Sequence, residues 1–280
     1  MRTAFVVLTY NRSDALLAVL RGLAPQCEPG DRVVIADDGS GPAHLQALRQ
    51  GLPRFACPVR RVWHPDTGFT AARARNLGAL QAQADYLVFM DGDCVPNARF
   101  AAMHRALAEP GFFVNGSRVL LSEKLSAQAA AGAVDLPRLQ AADWLRLRLS
   151  GDVNKLTHLV HWPRAPLRVE PRFRWKGIRS CNFGVWHRDF EAINGFDESF
   201  SGWGHEDADL VLRLYHHGSK RKNGFFATEV FHLWHPDHSR AREASNREKV
   251  VQRLRSGITR AAQGLAEAGL AADVVVTELN

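Results

Sequence analysis

The chain has 280 residues, 46% hydrophobic and 23% charged, which suits one large α/β domain or one domain with an appendage. Its net charge of +7 asks for an anionic partner or none, yet no nucleic-acid motif or stacking platform accompanies the basic residues. No apolar run approaches the ~20 residues that span a bilayer, and the opening "MRTAFVVLTYNRSD" turns polar too soon for a signal peptide.

In chain order, "TAFVVL" predicts a first strand, and Ser13 is placed to cap a helix reaching about Leu23. "RVVIA" is a second strand, followed by the turn "DDGSG" and a helix ending near Leu52. "PVRRVW" is a third, after which Thr70 can cap the helix "AARARNLGALQAQA". "YLVFM" is a fourth, wholly apolar strand, and Asn97 can cap a helix through Ala108. Residues 116–180 lose this rhythm and read as an insertion or lid shaping a second substrate's site. "NFGVWHRDFEAINGFDE" restores a strand and a short helix, "GHEDADLVLRLYHHG" adds a helix, and "FFATEVFHLWHP" a strand and loop. From Arg240 to about Ala268 a helical tail is expected. The alternation predicts a mainly parallel α/β sheet with right-handed crossovers and helices on both faces. Ligands of such sheets lie beyond the carboxyl ends of the strands, where "TYNR", "DDGS" and "DGDC" should converge.

Cys27, Cys57, Cys94 and Cys181 form no CxxC pair, which points to a reducing, cytoplasmic setting and away from a zinc ribbon. The arginine-rich "WLRLRLSGD" and "WPRAPLRVEPRFRWKGIRS" fit a phosphate-rich surface, peripheral contact with an anionic inner membrane face, or a merely solvated face.

Five groups could carry chemistry. Asp91 and Asp93 in "FMDGDC" lie on one side of an extended segment, as a divalent cation bridging a diphosphate requires; an Asp-Gly turn is the plain alternative. His232, His235 and His238 supply imidazoles suited to manganese or zinc, two of the three being expected as packing residues. Asp37 and Asp38 end another strand, where a carboxylate can accept a uracil imide N–H or hold a turn. Arg73 and Arg75, beside the backbone N–H groups of a helix start, make a site for anionic oxygen or stand as exposed helical arginines. Glu206, Asp207 and Asp209 open the helix after "FSGWGH", and the macrodipole alone favours carboxylates there. Asp207, however, shares an inward stripe with Val211 and Leu214, while Glu206 leans with Leu210 and Asp209 with Arg213. Trp203 offers a ring face to a sugar, and Gly202 and Gly204 allow close backbone approach.

Together "VVLTYNR", "VIADDGS", "GFTAARARNLGA" and "YLVFMDGD" resemble the donor-binding half of family 2 glycosyltransferases of the GT-A fold. "NGFDESFSGWGHEDADLVLRL" and "FHLWHP" resemble the galactosyltransferase-type C-terminal module of chondroitin polymerases and β-1,4-galactosyltransferases. The resemblance covers roughly residues 3–100 and 180–236. With it the chain divides into a donor half at 1–115 and an acceptor and catalytic half of the same domain at 116–239, and the helical pattern adds a tail at 240–280 that the resemblance does not reach. It also implies that Asp38 holds uracil, Thr9 and Arg12 line the nucleoside pocket, Arg75 serves the donor, and Asp91 faces ribose or metal. Asp93 and His235 become metal ligands, Asp207 the catalytic base, and Glu206 with Trp203 the acceptor site. His205 stands where the family has a second glycine, and Ala208 where it has an acidic residue.

The expected activity is inverting, metal-dependent transfer from a UDP-sugar to a glycan or glycolipid hydroxyl in surface polysaccharide synthesis. Manganese is the expected ion, because imidazole among the ligands disfavours magnesium, the second choice. A retaining transferase and a non-catalytic nucleotide-sugar binder are the alternatives. A sugar nucleotidyltransferase would need a glycine-rich loop that "LTYNRSD" lacks, and a zinc hydrolase would leave the strand-end aspartates unexplained.

Overall fold

The computed structural model describes residues 1–236 and 240–280. Its first half alternates β1 (Thr3–Thr9), α1 (Ser13–Leu23), β2 (Arg32–Asp37), α2 (Pro42–Gly51), β3 (Val59–Trp63), α3 (Ala71–Leu80) and β4 (Tyr86–Asp91). These strands lie parallel in the order β3-β2-β1-β4. Side chains alternate across a strand, so Phe5 and Val7 pack with Leu16 and Leu20 of α1, while Ala4 and Val6 pack with Ala72 and Ala79 of α3. The small residues of α3 let it sit close to the sheet: a Cβ on Gly78 would lie 2.7 Å from a Val6 methyl.

Then come β5 (Cys94–Pro96), α4 (Phe100–Leu107), β6 (Phe112–Asn115), β7 (Ser117–Leu120), α5 (Glu123–Ala130), α6 (Ala141–Leu149) and β8 (Val169–Glu170). The chain continues through β9 (Asn182–Trp186), α7 (His187–Ala192), α8 (Glu206–His216), β10 (Lys220–Asn223) and β11 (Glu229–His232). It ends with α9 (Glu243–Arg253), α10 (Leu265–Ala268) and β12 (Val275–Glu278). Among the described residues the main sheet runs β12-β3-β2-β1-β4-β9-β6-β10-β8, and β5-β11-β7 form a small second sheet. Outside the parallel β3-β2-β1-β4 block the pairing is mixed, since β9 runs antiparallel to both β4 and β6.

Several expectations change here. Ser13 is the first residue of α1, not its cap, and α4 starts at Phe100 because Asn97 spends its side chain on Arg99 N and the Glu229 carbonyl. Thr70 does precede α3, but its hydroxyl goes to Asp38 instead of the helix. The segment 116–180 is partly core: Trp144 stacks on Phe231 at 4.6 Å, and Leu125 and Ala129 join the cluster around α1. The expected helical tail closes with β12, antiparallel to β3 at the sheet edge. Among the described residues no helix is long and apolar enough to cross a membrane.

Candidate active site

The loops after β1, β2 and β4 meet beyond the strand ends. Asp38 N donates to the Thr9 carbonyl at 3.0 Å, Gly92 N to the Leu8 carbonyl at 2.7 Å, and an Arg12 guanidinium nitrogen stands 3.7 Å from Asp93. Asp37, fully buried, accepts from Ser40 N and from Arg61 at 2.7 Å, which fixes the end of β2. Asp38 accepts from Thr70 N at 3.0 Å and from the Thr70 hydroxyl, and lies 3.2 Å from His64. That contact raises the His64 pKa although burial opposes it. A carboxylate accepts about four hydrogen bonds, so these local donors leave room for one imide N–H. Thr9 is buried with its hydroxyl 3.4 Å from His44, so its part in a donor pocket would come from its backbone.

Asp93 faces two imidazoles delivered by β11 and the loop after it. His235 Nε2 lies 3.4 Å and His232 Nε2 3.9 Å from its oxygens. His235 Nδ1 sits 2.8 Å from the Pro236 carbonyl, which marks it as the protonated nitrogen and leaves Nε2 as the ligating one. Cys94 is also within reach of Asp93 and His232, but burial, with Cys181 beside it, pushes its thiol up, and a protonated thiol is a poor ligand. One carboxylate and two imidazoles fit manganese better than magnesium. His232, left out of the expected ligand pair of Asp93 and His235, thus stands with His235 at Asp93; His238 lies outside the described residues.

The three acidic residues of α8 meet three different fates. Asp209 is fully buried and gripped by Arg213 at 2.7 Å and by Arg253 of α9 at 2.5 Å. Glu206 pairs with Arg75 at 3.4 Å, and Arg75 also holds Asp91 at 2.8 Å. Arg75 is therefore buried between two carboxylates of the chain, not open at the start of α3, and it ties the end of β4 to the start of α8. Asp207 alone of the three has no salt bridge among the described residues; it accepts only from Ala208 N, at 2.7 Å. Burial, with the Glu206 charge beside it and against the pull of Arg75, pushes its pKa up to about 7. Its stripe partners Val211 and Leu214 are fully buried, but the expected ranking of the carboxylates is reversed: Asp207 is half-buried, while Asp209, expected to point elsewhere, is fully buried because Arg213 and Arg253 neutralise it.

The loop before α8 is held from outside. His205 adopts a left-handed φ of 70° at the helix cap, where a glycine would sit without strain, and its ring meets Trp175 edge-on at 5.5 Å. Asn246 of α9 donates to the Gly204 carbonyl at 2.9 Å, and Arg240 lies over the Trp203 ring at 5.4 Å. Sequence reasoning missed Arg75 as a bridge and His64 as a partner of Asp38; only the position of His64 at the end of β3 signalled it.

Acidic loops meeting at parallel strand ends, a carboxylate–imidazole cluster and an acid without a salt bridge at a helix start are the features a GT-A glycosyltransferase needs. The profile described as Glycosyl transferase family 2 matches residues 4–126, and that described as the N-terminal domain of galactosyltransferase matches residues 164–236. The chain belongs to the family 2 glycosyltransferases. It is 30% identical over 232 residues to a validoxylamine A glucosyltransferase of Streptomyces hygroscopicus subsp. limoneus, covering 76% of this chain and 48% of that one. It is 26% identical over 237 residues to the chondroitin synthase of Escherichia coli, covering 77% of this chain and 32% of that one. The chain thus spans about half, or less, of the length of these relatives. Among solved structures, S. aureus TarS 1-349 in complex with UDP-GlcNAc superposes with a TM-score of 0.62 at 14% identity, over 96% of this chain and 69% of that one. A mannosyltransferase from Pyrobaculum calidifontis in complex with GDP-Man and Mn2+ superposes with a TM-score of 0.57 at 16% identity, over 89% and 64%.

Proposed function

We propose that the chain transfers a sugar from a UDP-sugar to an acceptor hydroxyl with inversion of the anomeric centre. The observation that carries this reading is Asp207, the one carboxylate at the start of α8 without a cation, its pKa raised to about 7. A general base works best when it titrates near the working pH. Asp207 takes the proton of the acceptor hydroxyl as that oxygen attacks from the face opposite UDP. Glu206 and Arg75 keep Asp207 beside Asp91, and Trp203 gives the acceptor a ring to stack on. Asp38 accepts the uracil imide, Arg12 and the Thr9 backbone border the nucleoside, and Asp91 faces the ribose. Asp93, His232 and His235 would hold a divalent ion, manganese by their chemistry, which when bound supplies charge neutralisation for the departing diphosphate.

The acceptor in this reading is a glycan or glycolipid of a surface polysaccharide, in keeping with the chondroitin synthase relative. A cytoplasmic position against the anionic inner membrane face accords with half-exposed Trp162 and 92% exposed Leu167 standing among arginines 164, 172 and 174. Calorimetric titration of UDP, GDP and CDP with Mn2+, followed by NMR of the sugar product, tests the reading. Preference for UDP, weakened in Asp38→Ala, and an inverted anomer are expected. Equal affinity for the three nucleotides or a retained anomer refutes it.

A further inference from the structure

Three cations, Arg118, Lys155 and Arg179, gather around β7 and the end of β6, and no carboxylate among the described residues lies within ion-pair distance of them. Arg118 lies on β7, opposite Val230 and two residues from the His232–Leu120 pair. Lys155 donates to the hydroxyl of Ser117, next to Arg118, at 2.6 Å, and neighbouring Asn154 is sewn to β7 through both N and O of Leu120. Arg179 is pinned by Asn115 at the end of β6, whose side chain accepts from Arg179 N at 3.1 Å and donates to the Gly177 carbonyl at 2.7 Å. Two residues on, the Cys181 carbonyl accepts from Asp91 N, which brings the chain near Arg179 to the end of β4, and the charge of Asp207 at the start of α8 acts on its guanidinium.

All three side chains are half-buried, and none forms a salt bridge among the described residues. Burial lowers the pKa of Lys155 and of Arg179, and Arg118 adds to both depressions; the Glu229 charge opposes them for Lys155, and the Asp207 charge for Arg179. Holding like charges together, partly desolvated, is unfavourable unless an anion completes the group. Glu229 and Asp207 act on the group only from a distance, and no carboxylate among the described residues comes within ion-pair reach to complete it.

We propose that Arg118, Lys155 and Arg179 form an anion subsite that selects an acidic acceptor, a sugar bearing a carboxylate or a phosphate, and presents its hydroxyl to Asp207. This rests on the glycosyl-transfer reading. The subsite belongs to the acceptor because Arg179 shares the field of Asp207, whereas the donor's diphosphate has its own cation, Arg12, at Asp93. Guanidinium groups suit these ligands, since they bind carboxylate and phosphate through paired N–H groups.

The test is binding to the full chain with UDP and Mn2+ present. The probes are 4-nitrophenyl β-D-glucuronide, glucose 6-phosphate and, as the neutral control, 4-nitrophenyl β-D-glucoside. At least one acidic probe should bind about tenfold or more tighter than the glucoside, the usual worth of a charged hydrogen bond. In Arg179→Gln, and separately in Lys155→Gln, that preference should fall several-fold while UDP affinity stays within about twofold. Acidic probes that bind no better than the glucoside to the wild-type chain overturn the proposal, whatever the variants do. A loss of UDP affinity in the variants that matches the loss of acid preference assigns the cations to the donor and also overturns it. Failure of the wild type to bind UDP with Mn2+ refutes instead the glycosyl-transfer reading underneath.

Discussion

Replacing Asp207 by Asn keeps the shape of the side chain and removes the only carboxylate of α8 that no cation holds. Loss of a positioned base costs about 10²–10⁴-fold in turnover. The wild-type pH profile carries the same information. A carboxyl titrating at about 7 is ionised in about 1% of molecules at pH 5 and about half at pH 7, so UDP release should rise about 50-fold from pH 5 to pH 7. In Asp207→Asn the residual rate should lose this limb. Stability supplies an independent sign. The folded-state pKa lies above the unfolded value near 3.8, so ionisation is disfavoured in the fold, and stability present at low pH is lost as pH rises through about 7. The Asn variant should therefore melt like wild type near pH 4 and above it at pH 8. A carboxylate serving only the helix dipole predicts the reverse, a loss of about 0.3–1 kcal/mol at neutral pH with turnover unchanged. The assay is UDP release from saturating UDP-sugar between pH 5 and 9, with melting curves on the same samples. Turnover within a few-fold of wild type and an unchanged acid limb would remove Asp207 from the mechanism.

Two further outcomes follow from the cluster at Asp93 and from α9. Mn2+ binding measured with UDP present should fall more than about tenfold in Asp93→Ala, His235→Ala and His232→Ala, since even outer partners of metal ligands cost 10–100-fold; full binding in His232→Ala would return that residue to packing. Arg253→Met leaves the fully buried Asp209 and Asp197 short of a partner each, at 2.5 and 2.7 Å in the intact chain, and should cost about 3 kcal/mol in urea unfolding. A cost below about 0.5 kcal/mol would mean that α9 does not anchor the site.

The donor half was legible because its physics is local. A parallel strand covered on both faces must be apolar throughout, so β1 and β4 announce themselves, and the polar residues that end them must lie at the ligand edge. Where tertiary partners compete with local ones, the sequence misleads: Thr70 has the chemistry of a cap, yet its hydroxyl serves Asp38. β10, "KRKN", carries no hydrophobic pattern, and it is a strand only because β6 and β8 flank it. β12 lies in the β-branched run "VVVTE", whose strand signal is masked by the helical pattern that precedes it.

The start of α8 shows where such reading stops. Arg213 lies one helical turn beyond Asp209, so that pairing could be proposed from spacing alone. Arg253, which completes the grip on Asp209, is 44 residues away, and Arg75, which takes Glu206, is 131 residues away on another helix. No pattern within α8 ranks its three carboxylates, because each is equally favoured by the helix dipole. What separates them is the supply of cations from α3 and α9. Two carboxylates are neutralised and become structure, and the third is left with its charge disfavoured. Function at this helix is thus a remainder: Asp207 can act as a base because the fold spends its nearby cations elsewhere.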